Sequence, residues 1–563
     1  MKTQYKITTI ITLGILVFTV SIPAFCYKNK LEGLWEGMFM KQFRMEIHLM
    51  ETEDMKLSGK IRMYNGSTMI QDDEINNIEY DNRMISFMIP AKETAFDGQF
   101  NDDLSELNGD FIFPDGSRHP VHVAKKELDQ LSKDSSTAIS EKILTEEFSS
   151  TQLEDDLTFL RGHLSDIHPQ YHLYMTEESY DAMYEAIVQN LGSGLNVGDY
   201  YNLISPVIAK TGCSHTGIRL PEKYIRAQHK YNHYFPVRVF VKDKKAWVLG
   251  SVNDKKYIIP GSEIVSINHV PMENIIVRLL SMIPAEGYNK TTKYYEINRD
   301  FGSYFNLLNN SGQFQIEYRE STDSEIHTIN IEAVSYKSYS SGKESAIQEL
   351  PVIYPLNQEL STAIIQIKSF ALPDVNDFLQ LMDSTFREIR KEEMNNLVID
   401  LRGNQGGHPI FAAILYSFLT SENFTYFQFN EEVPEFAPLY KPMEPADNNF
   451  KGNCYVLVDG GCLSTTGHLI SLLKYHGRAI FIGEEPGSWF YCNDNSRQFK
   501  LPNTHIDVNI PRTTFMTDVK GYKMGDRFNV DYPMTISVRD CLAGQDPWME
   551  FTLNLTGSSN TSF

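Results

Sequence analysis

At 563 residues the chain is too long for a single hydrophobic core, so several domains are expected. Its 42% hydrophobic and 12% aromatic content is that of a globular protein. The formal charge of -22 argues against nucleic acid or an anionic membrane surface as a partner, because phosphate binding needs clustered Lys and Arg.

Residues 1–26 carry Lys2 and Lys6, an apolar run from Ile7 to about Ile22 and small residues at Ala24 and Cys26, the pattern of an export signal. Cleavage after Cys26 suits that pattern. A lipid anchor on Cys26 fits less well, since bulky Phe25 stands where a small residue is wanted, and an uncleaved anchor is the third reading. No other stretch reaches membrane-spanning length, so a secreted, periplasmic or cell-envelope protein without an integral span is expected. Cys213, Cys454, Cys462, Cys492 and Cys541 are odd in number and irregular in spacing, and point neither to a disulfide framework nor to a zinc site.

Short alternating apolar runs separated by turns over residues 28–126 predict a small all-β barrel or sandwich, with recurring apolar-x-Gly-x-apolar stretches marking strand bends or close backbone approach. A polar, Ser-rich segment follows as a linker. Apolar residues at helical spacing then predict a helical lead-in over 137–232, whose third helix delivers the chain to "CSHTG" with Ser214 and His215. Residues 233–337 return to β-type runs around "PGSEIVSINHVPMENIIVRLL", a compact α+β module whose element order resembles a PDZ domain. From 350 to 563 strands and helices alternate, predicting a largely buried parallel sheet. In such sheets ligands lie beyond the carboxyl ends of the strands, where Asn404–Gly407 and Gly460–Ser464 fall.

Ser464 follows the strand "CYVLVDG" and opens an apolar helix. A serine there is either a helix cap or a nucleophile beside backbone N–H groups able to hold an oxyanion. Gly406 and Gly407 in "DLRGNQGGHP" allow positive φ and close approach of a substrate carbonyl. His215 is of the residue type that serves as general base for a serine, given an acceptor on its other ring nitrogen.

The combination of "LVIDLRGNQGG", "VLVDGGCLSTTGHLISLLKYHGRAIFIGEEPG" and the upstream "SHTG" resembles the C-terminal processing (tail-specific) serine peptidase family over about residues 140–555. The resemblance implies a multidomain α/β protein with a crotonase-like (ClpP/crotonase) core, Ser464 as nucleophile, and an oxyanion hole of the Thr465 N–H with that of Gly406 or Gly407. One branch of the family places a lysine base about 25 residues after the serine. Trp489 stands near that position here, and Lys474 sits ten positions along the helix, roughly 15 Å away along its axis. The tricorn-core-like branch, with a Ser-His pair ahead of the PDZ-like domain, matches Ser214 and His215. It implies an acidic fourth member, for which Asp526 is the first candidate and Asp518 and Asp531 the next. The implied activity is hydrolysis of a polypeptide through an acyl-enzyme, with no metal or cofactor. A non-catalytic binding protein on a degenerate peptidase scaffold is the alternative.

Overall fold

The computed structural model describes residues 33–125, 141–341 and 351–559, apart from 40–42, 52–56, 66–67, 82–83, 102–104, 193, 232, 254, 310, 323, 373 and 430–432. The export signal with Cys26 and nearly all of the polar linker lie outside them. The chain divides into two compact units, Met1–Ser136 and Thr137–Phe563.

The first unit is an antiparallel barrel of eight strands: β1 (Gly33–Phe39), β2 (Phe43–Glu51), β3 (Leu57–Asn65), β4 (Thr68–Asp81), β5 (Met84–Ile89), β6 (Thr94–Phe100), β7 (Glu106–Ile112) and β8 (Arg118–Lys125). Each strand pairs with the next, and β8 closes onto β1. Alternation turns Ile85, Phe87 and Ile89 inward from β5, and the interior is filled by rings such as Phe87 and Phe96, 4.6 Å apart. The glycine pattern has a steric cause. Gly98 lies opposite Gly109, and a Cβ on Gly109 would come within 2.4 Å of the Asp97 carbonyl oxygen.

The second unit begins with α1 (Ser150–Ile167), α2 (Glu177–Gln189) and α3 (Val197–Lys210), each started by a side-chain cap, from Ser149, Thr176 and Asn196. Leu153, Leu157, Leu160 and Leu164 of α1 pack with Tyr180, Tyr184, Tyr200 and Ile204 in one core. Gly212, at φ 64°, turns the chain out of α3 into Cys213, Ser214 and His215. The strand β9 (Gly217–Arg219) follows.

An α+β module comes next, its sheet ordered β10 (Val237–Lys242), β11 (Lys245–Ser251), β12 (Glu263–Ile267), β13 (Gln313–Arg319) and β14 (His327–Glu332). Asn268 and His269 have φ of 50° and 65° and form the tight turn between β12 and helix α4 (Met272–Met282). Helix α5 (Thr291–Leu308) was not foreseen, because its polar first half and the break at Asp300 (φ -156°, ψ 58°) blur the helical period.

The last 200 residues build a sheet ordered β15 (Val352–Ile353), β16 (Thr362–Gln366), β17 (Asn396–Asp400), β18 (Asn453–Val458), β19 (Ile480–Gly483) and β24 (Tyr532–Pro533), parallel from β16 onward. Every residue of β17 is buried. Leu397 and Ile399 face α6 (Val375–Lys391), α7 (Pro409–Ser417) and α8 (Thr465–Tyr475), while Val398 joins Trp548 of α9 (Pro547–Ser559) on the other face. Burial on both faces explains the uninterrupted apolar runs of these strands. Between β19 and β24 lie two small antiparallel sheets: β20 (Tyr491–Asp494) pairs with β23 (Thr513–Met516), and β21 (Arg497–Lys500) and β22 (Asp507–Ile510) pair with each other, β22 also taking up β9. That last pairing ties the stretch after His215 to the half of the unit that holds the parallel sheet. Among the described residues no helix is long and apolar enough to cross a membrane.

Candidate active site

Ser464 stands at the sharp turn between β18 and α8 with φ 53° and ψ -124°, a conformation that a residue with a Cβ enters only at a cost of about 1–3 kcal/mol. Its hydroxyl does not cap α8. Two loops hold it. The Asp459 carboxylate accepts the Gly403 and Gly461 N–H groups, both at 2.9 Å, and Leu463 N–H donates to the Asn404 carbonyl at 3.1 Å. The Asn404 side chain bridges onward, donating to the Ile367 carbonyl at 3.0 Å and accepting the Gly406 N–H at 2.9 Å.

Gly406 lies directly against the serine, and Gly407 packs against the Phe370 backbone. A Cβ on Gly406 would come within 2.9 Å of Ser464 Cβ and 3.0 Å of Thr465 N, so only glycine fits. Thr465 Oγ1 donates to the Gly407 carbonyl. The Gly406 N–H is committed to Asn404, whereas the Gly407 and Thr465 N–H groups donate to no partner among the described residues. The Thr465 N–H stands at the start of α8, where the backbone dipole favours negative charge, and the Thr465 hydroxyl ties the Gly407 loop to that helix.

His215 is positioned from the other side. Ser214 donates to Glu286 Oε1 twice, from its N–H at 3.0 Å and from its hydroxyl at 2.6 Å. His215 Nδ1 is 3.3 Å from Ser214 Oγ and 3.9 Å from Glu286 Oε1. His215 Nε2 faces Asp494 Oδ2 at 3.8 Å. Burial opposes protonation of His215, but Cys213, Glu286 and the Asp494 charge outweigh it and raise its pKa well above the ordinary 6.5.

One strand joins the two halves. Cys492 Sγ of β20 is 3.9 Å from Ser464 Oγ and 3.4 Å from His468 Nε2, and Asp494, on the same face two residues on, meets His215. Ser464 and His215 share no hydrogen bond. The Cys492 thiol is pushed up by burial and by the nearby Asp494 and Glu286 charges, and burial together with the His215 charge lowers His468 to about 3. Both therefore stay uncharged.

The remaining sequence candidates make no hydrogen bond to Ser214, His215 or Ser464, although Asp526 lines the same recess as Glu286. Asp526 Oδ2 accepts the Lys523 N–H at 2.8 Å and makes no hydrogen bond to Ser214. Asp531 pairs with Lys474 at 2.6 Å, and Asp518 donates its N–H to the Tyr426 carbonyl at 3.0 Å. Trp489 is buried, its indole N–H donating to the Asp526 carbonyl at 3.0 Å. With Tyr491, Tyr174, Glu286 and Tyr288 it lines a narrow recess beside the site. Sequence reasoning missed Glu286, Cys492 and Asp494. The only signal for Glu286 was a lone carboxylate in the otherwise apolar "SMIPAEG".

Residues 361–513 match peptidase family S41. No curated protein matches the chain. Mature CPAF superposes with a TM-score of 0.54 at 11% identity, over 74% of this chain and 99% of that one. Its complex with lactacystin gives 0.53 at 11%, over 73% and 98%. At that identity the likeness is one of fold. The photosystem II D1 C-terminal processing protease aligns more loosely, with a TM-score of 0.38 at 13% identity over 72% of this chain and 97% of that one.

Proposed function

We infer, from a chain that belongs to peptidase family S41 through residues 361–513 and is a serine-type peptidase, that it hydrolyses polypeptides through an acyl-enzyme on Ser464. The observation that carries this is the strained φ of 53° at Ser464, at a strand-to-helix turn that does not use the hydroxyl as a cap. His215 is the general base. Ser464 Oγ turns from Cys492 toward His215 Nε2 when substrate arrives, a tightening common to sites whose hydrogen bonds are loose without substrate. His215 takes the proton, the Gly407 and Thr465 N–H groups hold the oxyanion, and the ring then protonates the leaving amine before activating water.

In this reading Glu286 takes the acidic role first sought at Asp526. It orients the imidazole through Ser214 and stabilises the charge formed on His215 as it accepts the proton. The core is crotonase-like, the 233–337 module PDZ-like, and residues 1–26 direct export and are then removed. The element order β12, turn, α4 and the apolar run after Lys6 support these readings.

The test is hydrolysis of casein beside Ser464→Ala and His215→Ala, with fluorophosphonate labelling of the wild type. Loss of cleavage in both folded variants and stoichiometric label on Ser464 are expected. Cleavage that survives Ser464→Ala would place the nucleophile elsewhere.

A further inference from the structure

Cys213, His215 and Glu286 each offer a donor atom, and these atoms all lie within 4.8 Å of one another. Sulfur, imidazole nitrogen and carboxylate oxygen are the donor types that bind zinc. With metal bonds of about 2.0–2.3 Å, such donors stand roughly 3.3–3.8 Å apart around a tetrahedral ion, so an inward movement of about 1 Å suffices.

Two features favour a ligand at this point. Glu286 is only 9% exposed and uses Oε1 for Ser214, while its Oε2 is buried without a partner among the described residues. A buried carboxylate oxygen lacking a donor is costly, and a cation removes that cost. The two loops that carry the donors are also docked before any ion arrives, because the Gly287 N–H donates to the Gly212 carbonyl at 2.9 Å. The His215 side chain is 20% exposed and provides the route of entry.

We propose that Cys213, His215 and Glu286 form a site for a thiophilic divalent cation such as Zn2+, and that its occupancy fixes His215 on the metal and silences Ser464. The inhibitory half rests on His215 being the base of the peptidase; the binding half does not. Three protein donors leave the fourth position to water. Ser214, between two of the donors, keeps its place on Oε1.

The full chain, freed of metal by a chelator, would be titrated with Co2+ and then with Zn2+. One equivalent of Co2+ should produce a sulfur-to-cobalt charge-transfer band that Zn2+ abolishes and that Cys213→Ala lacks, and Glu286→Gln should weaken binding at least tenfold. Zn2+ occupancy should track loss of casein hydrolysis, reversibly with chelator, and Cys213→Ala should be at least tenfold less sensitive relative to its own metal-free rate. If that variant fails to fold, Cys213→Ser carries the same measurement. No band in the wild type, or a band equally strong in the Cys213 variant, overturns the site. Binding without any hydrolysis would keep the site and defeat the peptidase reading of Ser464, whereas hydrolysis without binding would do the reverse.

Discussion

The Ser214 hydroxyl donates to Glu286 Oε1 at 2.6 Å across 72 residues of chain, and this contact places the imidazole of the next residue, His215. A carboxylate that orients the base and stabilises its charged form should matter to catalysis far more than one that does not. Glu286→Gln keeps an acceptor for Ser214 but loses the charge, and should lower kcat/KM by about 10²–10⁴-fold. Asp526→Asn, whose carboxylate serves its own loop through Lys523, should change kcat/KM less than about threefold. Steady-state kinetics on both variants check this, and a larger loss in Asp526→Asn would return the acidic role to that residue.

The strain at Ser464 predicts a conflict between stability and activity. Glycine occupies φ 53°, ψ -124° without a Cβ penalty, so Ser464→Gly should stabilise the peptidase unit by about 1 kcal/mol while abolishing hydrolysis. Ser464→Ala removes the nucleophile but keeps the strain. Thermal denaturation of both should give a rise of about 1–3 °C for the glycine variant alone.

Gly406 and Gly407 should fail differently. On Gly406, at φ 98°, an added methyl meets Ser464 Cβ at 2.9 Å and displaces the nucleophile, so Gly406→Ala should cost activity at least 100-fold. On Gly407, at φ 141°, the methyl meets the Phe370 carbonyl carbon at 2.1 Å and breaks the backbone pairing between the two residues. Gly407→Ala should lose soluble expression, or several kcal/mol of stability, before activity is assayed. Melting curves beside kinetics separate the two outcomes.

The charges around His215 predict an alkaline optimum. The base must be neutral to accept the Ser464 proton, and its folded pKa is raised, so activity is lost as pH falls through a value above the ordinary 6.5. Asp494 contributes to that rise through its charge. Asp494→Asn should therefore move the acid limb of the kcat/KM profile down in pH, measured in chelator-treated buffer. A limb that stays in place, or moves up, contradicts His215 as base.

Cys492 touches the nucleophile without carrying charge. Cys492→Ala should leave Ser464 free to turn toward His215, and kcat should hold within about threefold or rise, read from burst and steady-state kinetics. A loss beyond 100-fold would instead make the thiol part of the catalytic relay.

Much was legible in the chain itself, because local physics fixed it. Alternation over 33–125 is a one-dimensional pattern and foretold a β module, and doubly buried strands such as "NLVID" foretold a parallel sheet. The strand, Gly-Gly, Ser, helix order of 453–475 made Ser464 a candidate, and the pair Ser214-His215 lies at a helix exit that periodicity marks. Tertiary structure alone decided the rest. That the barrel closes depends on β8 meeting β1, about eighty residues away in the chain. Whether Ser464 caps its helix is a matter of backbone torsion, not residue type. Which carboxylate serves Ser214 depends on the α4–α5 loop docking beside Gly212, and spacing in sequence carries no information about that contact. The Ser464 and His215 halves lie nearly 250 residues apart, and tertiary pairing makes them neighbours: β9 docks on β22, and β20 presents Cys492 to one half and Asp494 to the other on a single face.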